Sequence, residues 1–157
     1  MKWRDILIKM TQSKHRPKKK LKVGIFGITG CMGCILDIVY QPELLQIVNA
    51  VDIVAFPRAY EVNELADDFD IIFLEGVVVN EKDLEELKHY RIRTKKLIAI
   101  GACACEGCVP AIKNFVNNKN VELSVYKPEE LHELHSIDPK PIDEFVVVDG
   151  YIRGCPM

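Results

Sequence analysis

The chain has 157 residues, 48% of them apolar, and a net charge of −2. That is enough for one domain with a substantial core, and the near-neutral balance excludes a polyanion binder, so no nucleic-acid partner is expected. No apolar stretch approaches the roughly 20 residues of a membrane span.

Met1 to Met10 lacks the uninterrupted apolar core and small-residue cleavage site of a secretory signal. The expected location is therefore the cytoplasm, with at most a peripheral contact to a membrane complex. Thiols stay reduced there, so the six cysteines read as metal ligands or catalytic groups, not disulfides.

Trp3, Ile6, Leu7 and Met10 fall at i, i+3, i+4 and i+7, one face of a helix. A basic run follows, with Lys14, His15, Arg16, Lys18, Lys19, Lys20 and Lys22, which reads as a solvated linker. Residues 1–21 thus form a basic amphipathic arm. Such a helix docks on a partner, packs on its own domain or touches a membrane surface. Residues 22–157 form the domain proper.

Strand one is predicted over Lys22–Phe26, ending in the turn Gly27-Ile-Thr-Gly30, with Cys31 and Cys34 just beyond. A helix follows from about Cys34 to Tyr40. Pro42 interrupts it, and Glu43–Asn49 resumes as a new helix. Val51–Phe56 and Asp70–Leu74 are strands two and three, and Glu75-Gly76 closes the third. Glu81–Tyr90 is a helix with Leu84 and Leu87 inward, and Lys96–Ile100 is strand four.

A cysteine-rich loop with Cys103, Cys105 and Cys108 then leads to Val109-Pro110 and a helix through about Val116. Val121–Tyr126 reads as a small strand, Pro128–His135 as a short helix, and Asp138–Asp143 as a loop. Phe145–Val148 is the last strand, ahead of Asp149-Gly150 and the tail that carries Cys155. Strands alternating with helices imply a single α/β domain, doubly wound around a parallel sheet.

Each cysteine group comes just after an apolar strand. In a doubly wound sheet such loops gather at the carboxyl edge of the strands, where ligands bind. Soft thiolates at one place suit zinc or an iron–sulfur cluster. Structural zinc usually draws its ligands as two compact pairs on a module that cannot fold unaided, whereas here the strands already supply a core. A thioredoxin-like dithiol at Cys31 and Cys34 leaves four cysteines unexplained, and inert buried cysteines are the remaining reading.

Among other polar groups, His132 and His135 stand at i, i+3 of a helix and read as a solvated face. His15 and His89 read as surface residues. Glu75 and Glu106 read as salt-bridge partners, with proton relay beside a cluster loop as the alternative. The Gly27–Gly30 turn lacks the lysine pattern of a phosphate-binding loop.

These residues resemble the small, electron-transferring subunit of [NiFe] hydrogenases, in its soluble multi-subunit branch. More distantly they resemble the cluster-bearing subunit next to the quinone in respiratory complex I. The resemblance runs from about Lys22 to Met157. It rests on Gly30-Cys31-Met32-Gly33-Cys34, Glu75-Gly76, Gly101-Ala102-Cys103-Ala104, Gly107, Val109-Pro110, and Asp143-Glu144 through Gly154-Cys155-Pro156.

The resemblance implies a flavodoxin-like fold and one proximal [4Fe-4S] cluster bound by Cys31, Cys34, Cys103 and Cys155. It also implies a non-catalytic role in an oxidoreductase complex, exchanging electrons with the nickel–iron site of a separate large subunit and with a further electron-carrier subunit. The rim around Cys31, Glu75 and Cys103 would be the interface. Cys105 and Cys108 depart from the family pattern, so that each is a candidate replacement for Cys103 or a neighbour of the cluster. The alternatives are a cluster-binding subunit of another redox complex without H2 activity, and a zinc-stabilised binding module.

Overall fold

The computed structural model describes residues 20–59, 68–129 and 136–156. The expected helix at Met1–Met10, His15, and the helix carrying His132 and His135 lie outside the described residues, apart from Pro128 and Glu129.

β1 (Lys22–Gly27) leads through the glycine turn to α1 (Gly33–Tyr40). Gln41, which precedes Pro42, is extended at φ −67° and ψ 131°, as the proline ring requires, and this ends the helix. α2 (Leu44–Ala50) follows, then β2 (Asp52–Ala55), β3 (Phe69–Glu75) and the short β4 (Val78–Asn80). α3 (Glu81–Ile92) starts on Asn80, whose side chain accepts the Asp83 N–H, with acidic residues in its first turn and basic ones in its last. β5 (Thr94–Ile100) runs directly into α4 (Gly101–Glu106). Beyond lie a 3₁₀ segment (Val109–Phe115), α5 (Asn118–Val125), β6 (Ser136–Lys140), a 3₁₀ turn (Ile142–Glu144) and β7 (Gly150–Ile152).

The main sheet is wholly parallel in the order β2-β1-β3-β5-β7. Numbering only these five in chain order gives 2-1-3-4-5, the flavodoxin-like order, with its topological switch between β1 and β3. Alternation divides the side chains between two faces. Phe26, Ile72, Leu74, Leu97 and Ala99 pack with Leu87 of α3 on one face, and Val23 and Ile25 pack with Ile35 of α1 on the other.

Four expectations are corrected and one strand is added. The cysteine-rich loop is the helix α4. Val121–Tyr126 is not a strand: Val121–Val125 belongs to α5, where the segment satisfies its backbone internally instead of on a sheet edge. Asp138–Lys140, expected in a loop, belong to the strand β6 (Ser136–Lys140), paired antiparallel with β4. This two-stranded ribbon pairs β6 on one side only, which tolerates Pro139. β4 itself is an addition to the expected elements.

Phe145–Val148 is not the last strand, because the Asp149 side chain accepts the Leu97 N–H at 2.8 Å and the ladder with β5 begins only at Gly150. Phe145, Val146 and Val148 pack sideways onto the core instead.

Candidate functional site

At the carboxyl edge of the sheet, four chain positions meet. The turn after β1 is pinned first. Thr29 Oγ1 donates to the Asp83 carboxylate at 2.9 and 3.1 Å, and the Val79 N–H donates to the same group at 3.1 Å. A Thr29–Val77 bridge adds a backbone tie. Asp83 is buried, and sequence reasoning missed it; its place three residues after the Asn80 cap was the available signal.

The chain then comes very close to β3. A Cβ on Gly30 would stand 2.7 Å from Glu75 Oε1, and one on Gly76 would stand 2.7 Å from the Thr29 carbonyl oxygen. Met32 at φ 63° turns the chain into α1. The Gly33 N–H lies 3.4 Å from Cys31 Sγ, a long N–H···S contact.

β5 delivers the second arm of the site. Gly101 takes φ +83°, and a Cβ there would fall 2.2 Å from Cys34 Sγ. The Ala102 N–H donates to the Gly154 carbonyl at 2.7 Å, tying the start of α4 to the tail after β7. Pro156 Cγ would lie 3.8 Å from a Cβ on Gly33, so the tail also meets the first cysteine loop.

Electrostatics report the same convergence. Burial, then the negative charges of Glu75, Cys31 and Cys155, push the Cys34 thiol up to about 11. Burial, then Cys108, Glu75, Cys31 and Cys34, push Cys103 up to about 11. Thiols this crowded resist ionising together unless something positive joins them. Cys34 thus feels Cys31 and Cys155, and Cys103 feels Cys108, Cys31 and Cys34, across a single small region. Cys31 and Cys155 are exposed there, Cys34 and Cys103 half-buried.

The remaining cysteines separate. Cys105 is buried in the core, its Sγ 3.7 Å from the Ala99 carbonyl oxygen and 3.8 Å from that of Ile152, so it points away from the other thiols. Cys108 sits beside Cys103 at φ 42°, a left-handed backbone that costs on the order of 1–3 kcal/mol in a non-glycine residue.

Glu75 lies under the turn at 1% exposure. Its Oε2 has no hydrogen-bond partner among the described residues, and burial pushes its carboxyl up against the opposing effects of the Met32 N–H and Arg58. It lies within the site, not on an exposed interface rim. Glu106 is exposed and pairs with Arg153 at 2.9 Å, and His89 is exposed beside Arg93, as expected for surface residues.

The donor set is sulfur-rich and crowded, with one orphaned carboxylate oxygen beneath it. That chemistry fits a positively charged iron–sulfur core. Among the described residues, no three Cys, His, Asp or Glu side chains stand close enough to share one metal ion. No helix of the described residues is long and apolar enough to cross a membrane.

Known proteins are similar to this chain in sequence. The delta subunit of sulfhydrogenase 2 from Pyrococcus furiosus is 33% identical over 140 residues, covering 87% of this chain and 56% of that protein. A subunit of the F420-non-reducing hydrogenase vhu of Methanocaldococcus jannaschii is 29% identical, covering 87% and 51%. The chain spans about half the length of these two relatives.

The delta subunit of the NAD-reducing hydrogenase HoxS of Cupriavidus necator is 31% identical over 87% of this chain and 72% of that one. Among solved structures, a chain of an NAD+-reducing [NiFe]-hydrogenase in the H2-reduced state superposes with a TM-score of 0.76 at 27% identity. The match covers 87% of this chain and 83% of that one. The model of the NADH ubiquinone oxidoreductase 20 Kd subunit family matches residues 31–157, and this chain belongs to that family.

Proposed function

We propose that this chain is the electron-transfer small subunit of a [NiFe] hydrogenase, with residues 22–157 as its cluster domain and residues 1–21 as an appended arm. Cys31, Cys34, Cys103 and Cys155 would hold one proximal [4Fe-4S] cluster, and H2 chemistry would belong to a separate large subunit. The observation that carries this reading is the convergence of thiols from three distant stretches of chain on one sheet edge. The relatives named above, which are hydrogenase subunits, support it.

When bound, the cluster supplies a one-electron relay. The chain's own residues prepare its place. Gly101 leaves room for Cys34, the Ala102–Gly154 hydrogen bond brings Cys155 to the other thiols, and Asp83 holds the turn that presents Cys31. Buried Ile28, Ala104 and Ile100 at this edge keep the local dielectric low, which with hydrogen bonds to sulfur sets the potential of such centres. Cys105, turned into the core, is left out of the ligand set, and Cys108 remains a neighbour of Cys103.

A single zinc ion would need donors gathered within about 2.3 Å of one point. Thiolates drawn from three separate loops of a domain that already has its own core suit a cluster better than a structural zinc, whose ligands usually come as two compact pairs. We place the assembly in the cytoplasm, with a further electron carrier on another subunit. Co-expression with its large subunit tests the whole reading. The complex should bind nickel and iron, and H2 should reduce the cluster only when that partner is present. The family's other branch, a redox complex without H2 activity, predicts a cluster that H2 leaves oxidised and a partner without nickel.

A further inference from the structure

A parallel sheet is normally covered on both faces, because crossover helices bury each of them. Here the two faces differ. On the α3 side Ile72, Leu74, Leu97 and Ala99 are all at 0% exposure. On the α1 side Val23 and Ile25 of β1 are also buried, but cover is lost outward across the sheet.

The strand register places Phe73, Ile98 and Gly150 side by side on that face, with Ile100 and Ile152 in the next row. Phe73 and Ile98 are only half-buried, Ile152 is 52% exposed, and Lys96 is exposed. A cavity of about 390 Å³ lies along this strip, lined by Ile38, Ile47, Phe73, Ile100 and Ile152 and ending at Cys34 and Cys155.

We infer that the arm of residues 2–10 docks on this strip, laying Trp3, Ile6, Leu7 and Met10 against Phe73, Ile98 and Ile152. Three observations select this occupant. The sequence gives the arm one apolar stripe and nothing else of its own to bury it against.

Its attachment is close. The chain enters the described fold at Lys20, where the Asp52 N–H donates to the Leu21 carbonyl, and β1 lies two strands from β5. Two strand spacings are about 10 Å, and the ten residues Thr11–Lys20 reach about 30 Å when extended.

Charge also favours the arm. Residues 1–20 hold eight Lys or Arg against one Asp, a net +7, whereas residues 21–157 hold thirteen against twenty-two, a net −9. An acidic body attracts its own basic extension more than it would a second acidic body of its own kind.

Trp3 is the chain's single tryptophan, which makes the test direct. Acrylamide quenching of its fluorescence is measured on the dilute full chain, with the urea-unfolded chain as reference. The expected result is several-fold weaker quenching in the native chain than in the unfolded one. Ile98→Lys, Ile152→Lys and, on the arm itself, Ile6→Asp should each restore the unfolded value. Ile92→Lys, at an 84% exposed position at the end of α3, should not.

Ile6→Asp leaves the sheet untouched, so it reads docking even if a sheet variant fails to fold. Solvent-like quenching in the native chain would overturn the inference. So would protection that none of the three variants releases. Protection that arises only at high protein concentration, only on adding anionic vesicles, or only with the large subunit assigns the strip or the arm to another occupant and likewise overturns it.

Discussion

Gly101 stands where strand, helix and thiol meet, and two separate constraints act on it. Its φ of +83° disfavours any L side chain, and a Cβ would occupy the space of Cys34 Sγ at 2.2 Å. Gly101→Ala is therefore expected to cost about 1–3 kcal/mol in urea denaturation of the apo chain. It should also lower bound iron, because Cys34 must rotate away. A variant with wild-type stability and iron content would contradict that account.

At this scale the sequence was informative about chemistry and less so about direction. Cys103 and Cys105 lie two apart on one short helix, and a spacing of two puts them about 200° apart around its axis. One faces the other thiols and the other the core, a distinction visible only once the segment is known to be helix and not loop.

Asp149 shows how a single side chain can decide where an element begins. By accepting the Leu97 N–H and donating its own N–H to the Leu97 carbonyl, it replaces one rung of the parallel ladder and sets the register of β7. Arg91, 3.4 Å from the same carboxylate, reinforces it. Asp149→Ala leaves the Leu97 N–H unpaired, a loss of about 1–3 kcal/mol for a buried group. Because β7 carries the tail, this variant should also weaken the hold on Cys155. Hydrogen exchange would then rise at Gly150–Ile152 before it rises in β3, and equal protection of both strands would refute the link.

The strands β1, β3 and β5 were legible as apolar runs bounded by glycine because one face of each is buried along most of its length and apolar residues recur on the other as well. Phe145–Val148 has the same composition but its apolar side chains serve as a lateral plug, and no local pattern separates the two uses. Val121–Tyr126 misled for a related reason. Six residues of mixed polarity satisfy either period, and Val121–Val125 lie within the helix α5.

Over the whole molecule, convergence is a consequence of topology. Parallel strands point their carboxyl ends one way, so residues 31–34, 101–108 and 154–156 need no sequence proximity to meet. That is why a candidate site could be placed from strand order alone. The half-covered sheet face was not readable in the same way, since it depends on which crossovers lie on which side.

The proposed relay role draws on a small set of groups. Its chemistry-bearing groups are thiols and one buried carboxylate at an edge with two exposed cysteines, open to a partner.

The most direct measurement of the central claim is an iron and acid-labile sulfide count on the anaerobically reconstituted chain and its single Cys→Ser variants. The wild type should bind iron and sulfide in equal amounts, about four of each per chain. Cys31→Ser, Cys34→Ser, Cys103→Ser and Cys155→Ser should each lose or degrade the centre, while Cys105→Ser should keep it intact. A Cys155→Ser chain that retains the full count, or a wild-type chain that takes up zinc without sulfide, would contradict the account.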